Sequence, residues 1–442
     1  MKKVLTVIFI AVSCTLPACK EKKQYSSATF TNPVLFAKTA WQLNTVVKDN
    51  NFPPIIASRN YAYASIAAYE TMVLGNAQYL SLAGQLKELE AIKNIDTAGV
   101  DYNYASLLSF CNVGEAVTFP EGSMSEYKKG LDSLASAAGM SDAMKQASVK
   151  LADAVSKHII SWSKKDMYAQ TRTAERYHVT DEEGRWIPTP PMYAQALEPH
   201  WNQIRPMVMD SAAQFVPPRP VAYNMKDKNS PYYKEVAKLK VDVDSLTPEQ
   251  KHIADFWDDL GNRAVVEGHV MFMAKKFSPV GHWMNIVGIA AEKSKADFAA
   301  TVAAYTRTSI AVFDAFIQCW DEKFRSNMPR PETVINKYID PNWRPYLQTP
   351  PFPEYTCGHS TVSAAAAETL TKDFGDNFAY TDSSELEFGI ANRSFKSFRD
   401  AALENNRARY YGGIHFHSSC IVSTAYGIKV GQLVNSKIKM KK

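Results

Sequence analysis

Cysteine is scarce, with six in 442 residues, and no two stand in a CxxC pair. That spacing excludes the common zinc modules and thioredoxin-like redox motifs. Charge of one sign is equally lacking. Fifty Lys and Arg stand against 45 Asp and Glu, a net of +5 with no long basic run, so nucleic-acid binding is not indicated. Past the first dozen residues there is no apolar run long enough to span a bilayer. Alternating apolar and polar stretches are few, which argues against a large sheet. What is present is 46% hydrophobic residues and frequent alanine. An all-α fold with a large core, in one or two domains, is expected.

The N-terminus has its own character. Met1, Lys2 and Lys3 are followed by an apolar run from Val4 to Val12 and then by Leu16-Pro17-Ala18-Cys19. This resembles a bacterial lipobox. In that reading residues 1–18 are a lipoprotein signal peptide, Cys19 carries lipid, and 19–30 are a polar tether. The chain is then an exported, membrane-anchored lipoprotein on the periplasmic or cell-surface side. An ordinary secretory signal is the alternative. Cys111, Cys319, Cys357 and Cys420 remain in a compartment that permits disulfides, with no pairing readable.

The body divides into a helical part, 31–240, and a second helical part, 241–442, which together fit one compact domain. Val34, Ala37, Trp41, Leu43 and Val47 fall near helical spacing up to Phe52-Pro53-Pro54. Further helices are expected over Ser58–Leu74, Gln85–Ile95, Glu126–Ala138 and Ser141–Lys164. Between about 172 and 233 the chain turns proline-rich and aromatic, as in Trp186, Pro188, Pro190, Pro191, Trp201 and Pro217-Pro218. Trp and Tyr need burial, so this stretch is expected to wrap the bundle in order rather than to serve as a mobile linker. Thr247-Pro248 opens a helix, Gly281-His282-Trp283 opens another, and one run is expected from Ala291 to Phe324. Its buried stripe of Ile310, Phe313, Ile317 and Trp320 continues onto Lys323, and a lysine there needs an anion or a route to water.

Three segments carry chemistry. Lys323 and Arg330 precede Pro331, which is expected to stop the helix. Cys357-Gly358-His359-Ser360 opens an Ala-rich helix, where free amides and the dipole favour an anion, and His359 is placed for acid–base work. Arg409 precedes Gly412, Gly413 and His415, with His415 expected at the start of an apolar helix through Ile421, Val422, Ala425 and Ile428. His200, His269 and His282 read more simply as structural groups, and Asp258-Asp259 as a solvated helix end.

In order and spacing these segments resemble the superfamily of vanadium-dependent haloperoxidases and type 2 phosphatidic acid phosphatases, on its bacterial haloperoxidase-like side. Lys323, Arg330 and Pro331 match the first motif, Gly358 and His359 the second, Arg409 and His415 the third. Flanking matches include Asp314, Trp320-Asp321, Trp343, Thr349-Pro350-Pro351-Phe352-Pro353-Glu354-Tyr355 and Tyr411-Gly412-Gly413-Ile414-His415-Phe416. The resemblance implies a helical bundle and a vanadate or phosphate pocket. Lys323, Arg330, Arg409 and the Gly358 amide would hold the oxyanion, with Cys357 a weak contributor. His415 would ligate vanadium, or attack phosphorus in a phosphatase, and His359 would assist peroxide binding or protonate a leaving alcohol. Three residues depart from the motif: Cys357 replaces a Ser, Ala408 a Ser, and Ser419 the Asp that would orient His415. The favoured reading is a haloperoxidase using vanadate, hydrogen peroxide and a halide. The alternatives are a phosphomonoester phosphatase with no cofactor and a non-catalytic oxyanion-binding protein. A homo-oligomer is compatible with each.

Overall fold

A computed structural model describes residues 24–260, 263–267 and 269–442. The signal peptide over 1–18 and Cys19 lie outside the described residues. By Tyr25 the chain is already against the body, where the Tyr25 hydroxyl bonds Asp101 and Phe30 is fully buried.

Helix starts follow capping chemistry. The Asn32 side chain accepts from the Val34 N–H, and Pro33 takes the first position of α1 (Pro33–Asp49). Then come α2 (Pro54–Leu74), α3 (Tyr102–Ala116), α4 (Ser125–Ala137), α5 (Asp142–Ser163) and the short α6 (Tyr168–Thr173). After the proline-rich stretch follow α7 (Pro231–Asp244) and α8 (Pro248–Phe256), the latter opened by a Thr247–Gln250 capping box. A hairpin of β1 (Ala264–Glu267) and β2 (Val270–Met273) leads to α9 (Pro279–Ser294) and α10 (Phe298–Ser326). The chain ends with α11 (Pro331–Tyr338), α12 (Gly358–Phe374), the ribbon β3 (Tyr380–Asp382) with β4 (Arg393–Phe395), α13 (Phe398–Tyr411) and α14 (His417–Lys437). Among the described residues the strands form only these two ribbons, and the fold is all-α.

Three helices are stacked through the middle. α2 packs between α3 and α10, α10 packs on α12, and α12 lies against α13 and α14. Burial on almost every side explains why α2 and α10 carry little polar face. One apolar core runs from Phe30 to Met440 and includes Tyr61, Ile310, Ala365 and Val434. Each fully buried Ile contributes about 1.5–3 kcal/mol. The α12–α14 contact is close because α14 presents glycine to it. A Cβ on Gly427 would lie 2.1 Å from the Thr361 carbonyl oxygen.

Four expectations change. Gln85–Ile95 is not a helix: Glu88 and Asn94 take left-handed backbone (φ 57° at each), and Leu86 and Leu89 reach the core from turns. The run from Ala291 to Phe324 is two helices, broken where Lys295 turns left-handed (φ 54°) and Asp297 caps α10. Pro331 does not end helical structure but takes the first position of α11. Helices α3, α7 and α13 were not expected. The proline-rich stretch is ordered, with Trp186 and Trp201 fully buried. Asp314, in the middle of α10, accepts the amides of Met207, Val208 and Met209 at 2.7–3.0 Å.

Candidate active site

The last turn of α10 delivers Lys323 into the protein with no exposure. Its ammonium donates to the carbonyls of Pro353 at 2.8 Å and Glu354 at 3.1 Å. Asn327 then turns left-handed and ends the helix, which frees Arg330 to stand just ahead of α11. Arg330 Nε donates to the Phe352 carbonyl at 2.8 Å and Nη1 to the Ile414 carbonyl at 2.7 Å. Both cations also sit over the Phe352 ring, at 4.9 and 5.0 Å from its centroid.

The second segment is held by α14. The Cys357 amide donates to Ser423 Oγ at 2.7 Å, which fixes the start of α12 with Gly358 and His359 as its first two residues. Amides at that position have no partner within the helix. His359 is only half-buried, and the Asp258 carbonyl accepts from its ring. Burial and the positive charge of Arg409 hold His359 well below the ordinary histidine range, so the ring is neutral.

The third segment brings Arg409 from the last turn of α13. Its Nη1 donates to the carbonyls of Trp257 at 2.9 Å and Asp258 at 3.2 Å. His415 follows on the turn between α13 and α14, where Gly413 has φ +73°. It therefore stands two residues ahead of the helix at whose start it was expected. Its Nδ1 lies 2.8 Å from Glu354 Oε1 and its Nε2 3.0 Å from Arg330 Nη1. With Nδ1–H donating to the carboxylate, the Nε2 pair accepts from Arg330 Nη1 and faces the cations.

Glu354 is the residue that sequence reasoning passed over. It performs the orientation expected of an Asp at position 419, and it also accepts the Phe416 amide at 3.2 Å. Ser419 Oγ is buried without a hydrogen-bond partner. A signal was available, since a histidine that presents one nitrogen needs an acid on the other, and Glu354 lies inside the quoted motif. Cys357 also differs from a weak Ser stand-in. Burial would push its thiol up, but hydrogen bonding with Cys420 and the neighbouring His415 and Arg409 hold it well below the ordinary thiol range.

The cations crowd one another. Lys323 is lowered to about 8, chiefly by burial and further by Arg330. Arg330 is lowered to about 10, again by burial first, with Arg409 adding to it. Arg330 Nη2, Arg409 Nε and His359 Nε2 are buried without hydrogen-bond partners. Buried, mutually repelling cations with unused donors make an oxyanion site. The donor set fits vanadate: cations and a helix-start amide for its oxygens, and the His415 Nε2 for the metal.

The other singled-out residues lie apart from this pocket or behind it. His269 is exposed at the β1–β2 turn, and His200 bonds the Glu175 carbonyl at 2.6 Å. Asp258 and Asp259 are buried, contrary to the expected solvated helix end, because the chain after α8 turns inward. His282 is buried among Asp259, Asp382 and Glu385.

A family model for the VCPO second helical-bundle domain matches residues 337–441. That span contains Cys357, Gly358, His359, Arg409 and His415. A solved structure described as the first bacterial vanadium-dependent iodoperoxidase is 42% identical, covers 93% of this chain and 98% of its own, and superposes with a TM-score of 0.87. The chain belongs to the vanadium haloperoxidase family. Bacterial vanadium-dependent chloroperoxidases in apo and holo form share the fold, at TM-scores of 0.65 and 0.63 and identities of 17% and 16%. They cover 87% and 95% of this chain and 94% and 95% of their own. Among curated proteins there is no match. Within this haloperoxidase frame Lys323 and Arg330 fall outside the matched domain model and reach the pocket through α10 and the segment after it.

Proposed function

We propose that this vanadium haloperoxidase oxidises iodide with hydrogen peroxide, one peroxide and one proton yielding hypoiodous acid and water. The observation that carries the reading is the His415 ring, locked by Glu354 on Nδ1 and turned by Nε2 to Arg330, whose charged neighbours are Lys323 and Arg409. The 42% identity to a protein described as an iodoperoxidase supports iodide as the halide. Bound vanadate would supply the Lewis-acidic centre at which peroxide is activated. The three cations and the Gly358 amide would neutralise its oxygens, and His415 Nε2 would be the ligand to the metal. His359, neutral and partly open to solvent, is the group that takes a proton from incoming peroxide. Lys323 is held by the Pro353 and Glu354 carbonyls and would add its charge to the anion site. Residues 1–18 and Cys19 are proposed to export the chain and anchor it by lipid, which palmitate labelling of Cys19→Ala against wild type tests.

The deciding experiment loads the chain from about residue 27 with orthovanadate and follows iodide and bromide oxidation. Hydrolysis of p-nitrophenyl phosphate is measured in parallel without vanadate. Iodide oxidation that requires vanadate and is lost in His415→Ala is expected. Oxidation unchanged in His415→Ala, or phosphate-ester turnover alone, overturns the reading. The second outcome has a physical basis, because Glu354 orients His415 as a nucleophile would need.

A further inference from the structure

Behind the oxyanion pocket lies a second cluster that the haloperoxidase reading does not use. It joins four segments: Asp259 after α8, His282 in the first turns of α9, Asp382 at the end of β3, and Glu385 on the loop that follows. The side chains have no exposed surface. His282 Nδ1 lies 2.9 Å from Asp259 Oδ1 and 3.8 Å from Glu385 Oε1. On the other side of the ring Nε2 lies 3.0 Å from Asp382 Oδ2.

We infer that Asp259, His282 and Glu385 form a binding site for a divalent first-row cation, zinc or manganese in character. Three observations carry this. The donor atoms of these three residues lie within 4.8 Å of one another, and the separations from Nδ1 bracket the ~3.3 Å between ligands that tetrahedral bonds near ~2.0 Å produce. Second, both oxygens of Glu385 and Oδ2 of Asp259 are buried and accept no hydrogen bond. Glu385 is fully buried yet paired with nothing at hydrogen-bond distance, and such a carboxylate is costly unless a cation meets it. Third, Asp382 stands where a carboxylate fixes a ligating histidine. It holds the ring through Nε2, while Nδ1 donates to Asp259 Oδ1, so a cation would enter by displacing that Nδ1 proton and taking its place between Asp259 and Glu385.

The ligand types select the metal. An imidazole with two carboxylates suits zinc or manganese, whereas calcium requires six or more oxygen ligands. The site also has a mechanical connection to the pocket. Trp257 stacks on His282 with centroids 4.6 Å apart, and the carbonyls of Trp257 and Asp258 accept from Arg409. A cation on Asp259 therefore steadies the segment that positions Arg409.

The test uses the whole mature chain, stripped with EDTA and then titrated with Zn2+ or Mn2+ alone, with Ca2+ and Mg2+ for comparison. Calorimetry and thermal unfolding are the readouts, so the result does not depend on haloperoxidase activity. Binding of about one Zn2+ or Mn2+ per chain, with a raised Tm, is expected. Glu385→Gln and Asp259→Asn should each weaken binding at least ~10-fold while the chain stays folded. Absence of binding at millimolar Zn2+ and Mn2+, or equal affinity in Glu385→Gln and wild type, overturns the assignment. A Tm that rises in Glu385→Gln and ignores metal also overturns it, by showing that the carboxyl holds a proton instead. Preference for Ca2+ overturns the choice of cation.

Discussion

Glu354 and Lys323 meet the same few ångströms of loop from opposite sides, and each makes a separable prediction. Glu354 binds His415 by its side chain while its carbonyl accepts from Lys323. Glu354→Gln keeps the shape and loses the charge, and should lower both vanadate affinity and iodide turnover by about 10- to 100-fold. Ser419→Asp should restore neither. Full activity in Glu354→Gln sinks this account. Lys323 sets the pH dependence. Its ordinary value is 10.5 and burial brings it to about 8, so the ammonium is present below that pH and lost above it. Affinity for vanadate, read by titration, should fall as pH rises through about 8, and Lys323→Arg should flatten the fall. Stability of the ligand-free fold should move the opposite way. Between about 8 and 10.5 the unfolded chain holds a proton that the native chain has released, so stability rises with pH across that window.

At the scale of elements, the pocket depends on how α12 is seated. Gly427 lets α14 touch the first turns of the helix that presents Gly358 and His359. Gly427→Ala should cost about 1–3 kcal/mol in urea unfolding and weaken vanadate binding as well, since α12 must shift to make room. Unchanged binding with reduced stability would separate the two effects and contradict the link. Much of this was legible before the structure. Lys323 continued a buried stripe, and the family resemblance carried by Arg330, His359 and Arg409 implied one anion pocket for segments far apart in the chain. What stayed hidden has physical reasons. α13 buries only Phe398 and three alanines as its apolar set, with Asn405, Asn406 and Arg409 buried on the same helix, so its hydrophobic periodicity is weak. Gln85–Ile95 has helically spaced leucines that a string of turns uses instead. Asp259, His282 and Glu385 come from segments with no common spacing, and only the tertiary fold brings them together.

The whole molecule is tied across its length by buried polar contacts as much as by apolar ones. Asp314 clamps the proline-rich stretch to the helix that carries Lys323. Arg59 pairs with Asp166 at 2.7 Å beneath the same stretch. Asp314→Ala strands three buried amides and should cost about 3 kcal/mol or more, with proteolysis opening first between 172 and 233. Equal protease resistance in the variant would refute the clamp. The crowding of Lys323, Arg330 and Arg409 has a consequence for the economy of the cell. A site that repels itself when vacant makes oxyanions into folding ligands, since whatever neutralises it stabilises only the native chain. At about 100 times its Kd, phosphate or vanadate should add about 2.7 kcal/mol and raise the Tm accordingly, an effect that Arg409→Ala should abolish. Phosphate and vanadate share charge and tetrahedral shape, so a phosphate that stabilised the vacant fold would also compete for the cofactor site. Phosphate supply would then govern how much enzyme survives and, in the opposite direction, how much of it is active.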